Sequence, residues 1–177
     1  LLINKIKRQP DKSQEVLKMA ACIGSSFDLW LLSIIRNESY LKTMEVLKEL
    51  IREEFIFLSD TSIKNLSEFS SMNLSTDQAK LVVYQFQHDR VQQAAYKLLG
   101  EEENKELRLT IGRILLDGNF SDENLFDIVN HLNAGASKIT DSKENERLIS
   151  LNLNASKKAK LSTAYELALQ YLNHALK

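Results

Sequence analysis

The stretch VVYQFQHDRVQQAAYKLL, residues 82–99, changes period in its middle. Val82, Tyr84 and Phe86 alternate, which predicts a half-buried strand. Val91, Ala94, Ala95, Leu98 and Leu99 then recur at helical spacing and mark one face of a helix. The switch falls at His88-Asp89. Asp89 suits a first helical turn, where its charge meets unpaired N–H groups and the positive end of the dipole. His88 is held by the strand on one side and the helix on the other. An imidazole so placed can point at a nearby anion, or it can serve as a local cap.

Upstream, Leu1 to Lys7 is apolar and basic and is stopped by Pro10. Asp11 or Ser13 is positioned to cap a helix to about Ile23, with Val16, Met19, Ala20 and Ile23 as its buried stripe. A second helix is expected from Phe27 to Arg36, with Phe27, Trp30, Leu31 and Ile34 inward. Ser39 caps a third, to about Glu54, with Thr43, Val46, Leu47, Leu50 and Ile51 on one side. Phe55-Ile56-Phe57-Leu58 is aromatic and β-branched and reads as a strand. Ser59 to Gln78 is rich in Ser, Asn, Thr and Asp and reads as a mobile loop with at most a weak turn of helix around residues 63–69. Lys80 to Gln87 returns as the second strand. No third strand is visible, so the expectation is one antiparallel hairpin of Phe55–Ser59 with Leu81–Gln87. Three helices closed by a hairpin give the winged-helix plan for residues 1–100.

Downstream the pattern is wholly helical. Glu101 to Gly118 carries Leu107, Ile111, Ile114 and Leu115. Ser121 is the expected cap of a helix that buries Leu125, Ile128, Val129 and Leu132. A linker, Ala134 to Ser142, leads to a last pair, Asn145–Ala159 and Thr163–Lys177. Ala155 and Ala159 on one helix, and Ala168 and Ala175 with Leu172 on the other, suit close antiparallel packing. This is similar to a tetratricopeptide repeat of about 34 residues, although Asn152 and Ser156 stand where that pattern favours a large apolar residue and Gly. A single unit of this kind leaves faces bare, so further repeats are expected beyond Lys177. The fold class is therefore mainly α: a winged-helix domain at 1–100 and a TPR-like helical array at 101–177.

With 177 residues, 44% hydrophobic and 27% charged, the chain can bury a sizeable core. A net charge of −1 supplies no general attraction for nucleic acid or anionic membrane. The single Cys22 lies in an apolar helical pattern and reads as a buried thiol. The absence of a disulfide framework agrees with the cytoplasm, and no apolar run is long enough for a bilayer span and no signal peptide is visible. The opening LLINKI without Met reads as a piece of a longer protein. Neither GxxxxGK[ST] nor GxGxxG occurs. His88, His131 and His174 lack metal-ligand spacing with Cys22, and the latter two suit solvated or dipole-pairing roles on their helices. No nucleophile has its base, so the chain is read as having no catalytic residues, no metal site and no enzymatic activity of its own.

Four segments together resemble a known family: QPDKSQEVLKMAACIGSSFD (9–28), FQHDRVQQAAY (86–96), FDIVNHLNAG (126–135) and LNLNASKKAKLSTAYELALQYL (151–172). They look like the part that follows the ATPase core in very large bacterial signalling proteins. There a serine/threonine kinase-like domain precedes a STAND-type AAA ATPase, and helical repeats, then often GAF and histidine-kinase domains, follow. In STAND ATPases the winged helix closes over the nucleotide, and plant disease-resistance proteins use a Met-His-Asp motif there whose His contacts the ADP β-phosphate. Gln87-His88-Asp89 matches the His and Asp, with Gln in place of Met. The resemblance thus implies that His88 contacts phosphate and Asp89 supports the helix start. It implies ATP/ADP with Mg in the parent protein, none of it in this chain alone. It also implies an upstream nucleotide-binding domain as partner in cis, and protein partners on the helical tail.

The leading expectation is a regulatory module that docks on this core and stabilises its ADP-bound resting state. One alternative is a helical-repeat interaction domain in which His88 is merely structural. Another is a winged-helix DNA-binding regulator. The third helix carries Lys42, Lys48 and Arg52 against Glu38, Glu45, Glu49, Glu53 and Glu54, and this acidic balance opposes phosphate contact.

Overall fold

The computed structural model describes residues 2–62, 74–118 and 121–176. The chain is mainly helical with a small three-stranded sheet, and it divides into two compact units, residues 1–100 and 101–177.

In the first unit α1 (Leu2–Lys7) and α2 (Asp11–Ile23) lead to β1 (Ser26–Asp28), α3 (Leu29–Arg36), α4 (Tyr40–Arg52) and β2 (Ile56–Leu58). Then come α5 (Thr76–Lys80), β3 (Val83–Phe86) and α6 (Asp89–Tyr96). The anticipated antiparallel pairing is present, with Ile56 opposite Phe86 and Leu58 opposite Tyr84. The sheet, however, has a third strand. Residues 26–28 pair antiparallel with the other edge of β3, Phe27 opposite Tyr84, giving the order β1-β3-β2. Phe27 stacks on Tyr84 at 5.8 Å between ring centroids and packs tilted against Phe86 at 5.8 Å. This aromatic contact draws Phe27 out of the helix predicted to begin there. Asp28 becomes the cap instead, accepting from Leu31 N at 2.7 Å.

Helix α4 begins as expected, with Ser39 accepting from Lys42 N at 3.3 Å. Thr43, Leu47 and Leu50 are buried, whereas Ile34 of α3 and Ile51 of α4 are exposed, against expectation. Residues 59–78 are not simply a loop. The backbone is helical at 60–62, and α5 is set by a capping box in which Ser75 and Gln78 satisfy each other's backbone N–H. That helix occupies Lys80, so β3 starts later than predicted. Ser62 links the two ends, donating to Leu81 O at 3.1 Å and accepting from Val83 N at 2.8 Å. The mobility expected of this stretch falls largely on residues 63–73, outside the described residues.

The second unit comprises α7 (Glu101–Gly118), α8 (Leu125–Gly135), a 3₁₀ turn at Ala136–Lys138, α9 (Ser142–Leu161) and α10 (Tyr165–Ala175). Helix α9 thus extends beyond the expected 145–159 at both ends, and α10 is shorter than the expected 163–177 at both ends. Asp141 caps α9, accepting from Lys143 N at 3.0 Å. Ser121 does not cap α8. The N-cap is Asn124, whose Oδ1 accepts from Ser121 N at 2.9 Å. The α7–α8 pair approaches closely at Gly135, where a Cβ would sit 2.6 Å from Lys105 O. A Cβ on Gly112 would sit 2.6 Å from Leu132 Cδ2. Leu109, Ile128, Val129, Leu148 and Leu151 form the core with Tyr171. Asn152, which stood out in the repeat comparison, is buried and exchanges amide hydrogen bonds with Asn133 at 2.8 and 2.9 Å. It also donates to Leu148 O at 3.0 Å.

Candidate functional site

The junction between β3 and α6 is built by the period switch itself. Val82, Tyr84 and Phe86 are buried on one face of the strand, and Val91, Ala94 and Ala95 are the buried face of the helix. Gln87 N donates to Phe55 O at 3.0 Å, which extends the β2–β3 pairing up to the junction. Gln92 Nε2 donates to Ala21 O at 3.3 Å and ties α6 to α2. Between these anchors His88 is the N-cap residue of α6, extended at φ −151° and ψ 149°. Its carbonyl accepts from Val91 N at 2.8 Å, but its side chain makes no capping hydrogen bond. His88 and Asp89 are adjacent and exposed. The local-cap alternative therefore rests on the His88 backbone alone, not on its imidazole.

Chemically this junction offers one imidazole and the N–H groups of a helical first turn, both suited to an anion. The Asp89 carboxylate beside them opposes one. The donors at this junction are thus few: one imidazole and the first-turn N–H groups, beside one carboxylate.

The other two histidines sit apart from His88 in the sequence and in the second unit. His131, expected to be solvated near a helix end, is instead buried in α8. His174 is exposed on α10. Cys22 is buried. Among the described residues no group of three His, Cys, Asp or Glu is placed to hold a metal ion. None of the described helices is long and apolar enough to cross a membrane.

Sequence reasoning missed a groove of about 370 Å³ in the second unit. Its floor includes Leu116, Leu132, Leu148 and Leu151. Arg113 closes one side through a two-pronged pair, its Nε and Nη2 each donating to Glu144 at 2.7 Å. That pairing raises the guanidinium above its ordinary range and holds the Glu144 carboxyl below its own. Acidic and basic groups on the rim balance: Arg113, Lys143 and Arg147 stand against Asp117, Asp141 and Glu144. The groove therefore has no preference for either sign of charge. Residues 31 apart supply the ion pair, so no local motif announced it.

A mainly helical, two-unit chain with an exposed strand–helix histidine is thus in hand. Its sequence is 31% identical, over an alignment of 210 residues, to hybrid signal transduction histidine kinase G of Dictyostelium discoideum. The alignment takes in 99% of this chain and 6% of that protein. The chain is therefore related to a small segment of a signal-transduction protein, here from an amoeba. No family model matches the sequence, and no solved structure matches it.

Proposed function

We propose that this chain is a regulatory, non-catalytic segment of a multidomain signalling protein. In this reading the first unit acts as a winged helix. It docks on a STAND-type nucleotide-binding core carried by the same polypeptide and stabilises its ADP-bound resting state, while the TPR-like second unit meets protein partners. The core, with ATP or ADP and Mg, and the kinase domains belong to the parent protein.

The observation that carries the reading is the position of His88. It is exposed at the end of the central strand and anchored through its backbone, and its side chain makes no capping hydrogen bond. Its imidazole N–H is the natural donor to a phosphate oxygen, and a charge-assisted bond of that kind contributes about 1.5–3 kcal/mol. The helix–sheet order of the first unit, with the long segment between β2 and β3, supports the winged-helix assignment. The relationship to a signal-transduction histidine kinase supports the signalling context.

Titration calorimetry is the test. The 177-residue chain alone should show no appreciable heat with ADP and no ATP turnover, whereas the parent protein should bind ADP in a manner weakened by His88→Ala. Tight ADP binding by the chain alone, or turnover abolished by a substitution within it, would overturn the reading.

A second reading, a helical interaction domain with no nucleotide role, is favoured by one observation. Helix α10 exposes Tyr165, Leu169 and Leu172, and Leu176 just beyond its end is exposed too. DNA binding gains little support, since two of the three exposed basic residues of α4 are already paired, Lys42 with Glu38 at 3.0 Å and Arg52 with Glu49 at 2.6 Å, and Glu45 stands exposed near Lys48.

A further inference from the structure

The groove of the second unit lies among α7, α8 and α9 and has a volume of about 370 Å³. Small-molecule sites run from about 300 to 1,000 Å³, so this one is of a size for a small guest. Leu132, Leu148 and Leu151 in its floor are almost fully buried in the core of the unit. Leu116 and Ile139 are only half-buried, and they are the apolar surface that a guest would cover.

Two ion pairs reach from α7 to α9 across the rim, and they differ. Arg113 holds Glu144 through two bonds of 2.7 Å. Each group satisfies the other, so neither is left to recognise a guest. Arg147 Nη1 stands 3.8 Å from Asp117 Oδ1, beyond hydrogen-bond distance, and the two side chains are 57 and 75% exposed. An exposed pair at that separation contributes little, and its members can part. The rim also carries Asp141 and Lys143, both exposed. One oxygen of Asp141 accepts from Lys143 N at 3.0 Å. With Arg113 and Glu144 matched to each other, two cations and two anions still line the groove: Arg147 and Lys143, Asp117 and Asp141.

A rim with both signs available is the complement of a zwitterion, not of an anion or a cation. Docking a protein surface here would strip water from six charged side chains, and that desolvation opposes binding. A small zwitterion replaces the water at each end with an opposite charge.

We propose that this groove binds a free α-amino acid with an apolar side chain of about the size of leucine. Its carboxylate accepts from Arg147 and Lys143, its ammonium donates to Asp117 and Asp141, and its side chain lies on Leu116 and Ile139. Such a guest joins α7 to α9 and stabilises the second unit by mass action. The site uses no residue of the first unit and is independent of the role of His88.

The test follows amide and methyl NMR signals of the 177-residue chain during titration with L-leucine. Signals of Leu116, Ile139 and Leu148 should shift saturably, with a dissociation constant of about 1 mM or tighter. N-acetyl-leucine lacks the ammonium, leucinamide lacks the carboxylate, and glycine lacks the side chain. Each should bind about tenfold more weakly, as expected for the loss of one contact. Arg147→Gln should weaken leucine about tenfold and leave leucinamide unchanged, and Asp117→Asn should weaken leucine about tenfold and leave N-acetyl-leucine unchanged. Both side chains are exposed, so the thermal midpoint without ligand should stay the same and report that each variant is folded. Any of three results would overturn the proposal: no saturation at about 10 mM leucine, equal binding of leucine and N-acetyl-leucine, or leucine binding that both variants leave unchanged.

Discussion

The two units hold their helices in different ways. In the first, helix starts are written locally: Asp28, Ser39 and Ser75 each accept a backbone N–H two or three residues into the helix they precede. In the second, position is set by contacts distant in sequence: Gly135 against Lys105, Asn133 with Asn152, and Tyr171 Oη donating to Asn130 Oδ1 at 3.0 Å. Locally written structure tolerates the loss of one cap, at about 1 kcal/mol. Structure set by close approach and buried amides does not tolerate substitution as well, because a wrong atom there has nowhere to go.

The largest effect should come at Gly135. A Cβ there meets backbone atoms of α7, which cannot swing aside. Gly135→Val should destabilise the second unit by about 3 kcal/mol, at the upper end for overpacking. Gly112→Ala meets the buried Leu132 side chain and comes within 3.1 Å of Leu132 N, but it meets no backbone atom closer than that and regains helix propensity, so its cost should be smaller than that at Gly135. Urea unfolding followed by a probe in each unit would check this. Equal losses at the two glycines would break the comparison.

Next in size is Asn152→Leu, which leaves the Asn133 amide without its partner and should cost about 1–3 kcal/mol. Replacing both with leucine should recover much of that loss. A double-mutant cycle with no coupling would contradict the pairing's role.

Asp28 sharpens the comparison from the other side. Burial raises its carboxyl above the ordinary range, and the bond from Leu31 N only partly opposes this. Its folded form therefore holds the proton more tightly than the unfolded chain does. The contribution to stability is fully present below the unfolded carboxyl range and declines as pH rises through the folded value. Asp28→Asn keeps an oxygen for Leu31 N and should flatten this decline, giving a first unit at least as stable at neutral pH. A steeper loss with rising pH in Asp28→Asn would contradict the assignment.

The smallest effect is expected at Thr163, between α9 and α10. This β-branched residue has φ 60°, a left-handed backbone that glycine adopts freely. Thr163→Gly should stabilise the second unit by about 1 kcal/mol, visible as a higher thermal midpoint.

The same contrast explains what the sequence made legible. The β3–α6 junction was readable because alternation and helical spacing meet at His88 within eighteen residues. Ser39 was readable as a cap for the same local reason. The Ser75–Gln78 capping box was equally local, and the pair three residues apart was the signal that should have placed α5. Strand β1 was not readable. Three residues carry no period, and Phe27 suits a helix start until Tyr84 and Phe86 are brought beside it. The burial of His131 and the purpose of Asn152 depend on partners in other helices, which no local pattern contains. Nor does the sequence fix what His88 faces, since its partner in the proposed role lies outside this chain.

The central claim concerns that partner. The direct measurement is the ADP dissociation rate from a protein that joins the nucleotide-binding core to this chain, with and without His88→Ala. Because His88 is exposed and caps nothing with its side chain, the substitution should leave the thermal midpoint unchanged. Losing a bond of about 1.5–3 kcal/mol should speed ADP release about ten- to a hundredfold. An unchanged release rate in a folded variant would contradict the account and leave His88 as no more than the residue where a strand becomes a helix.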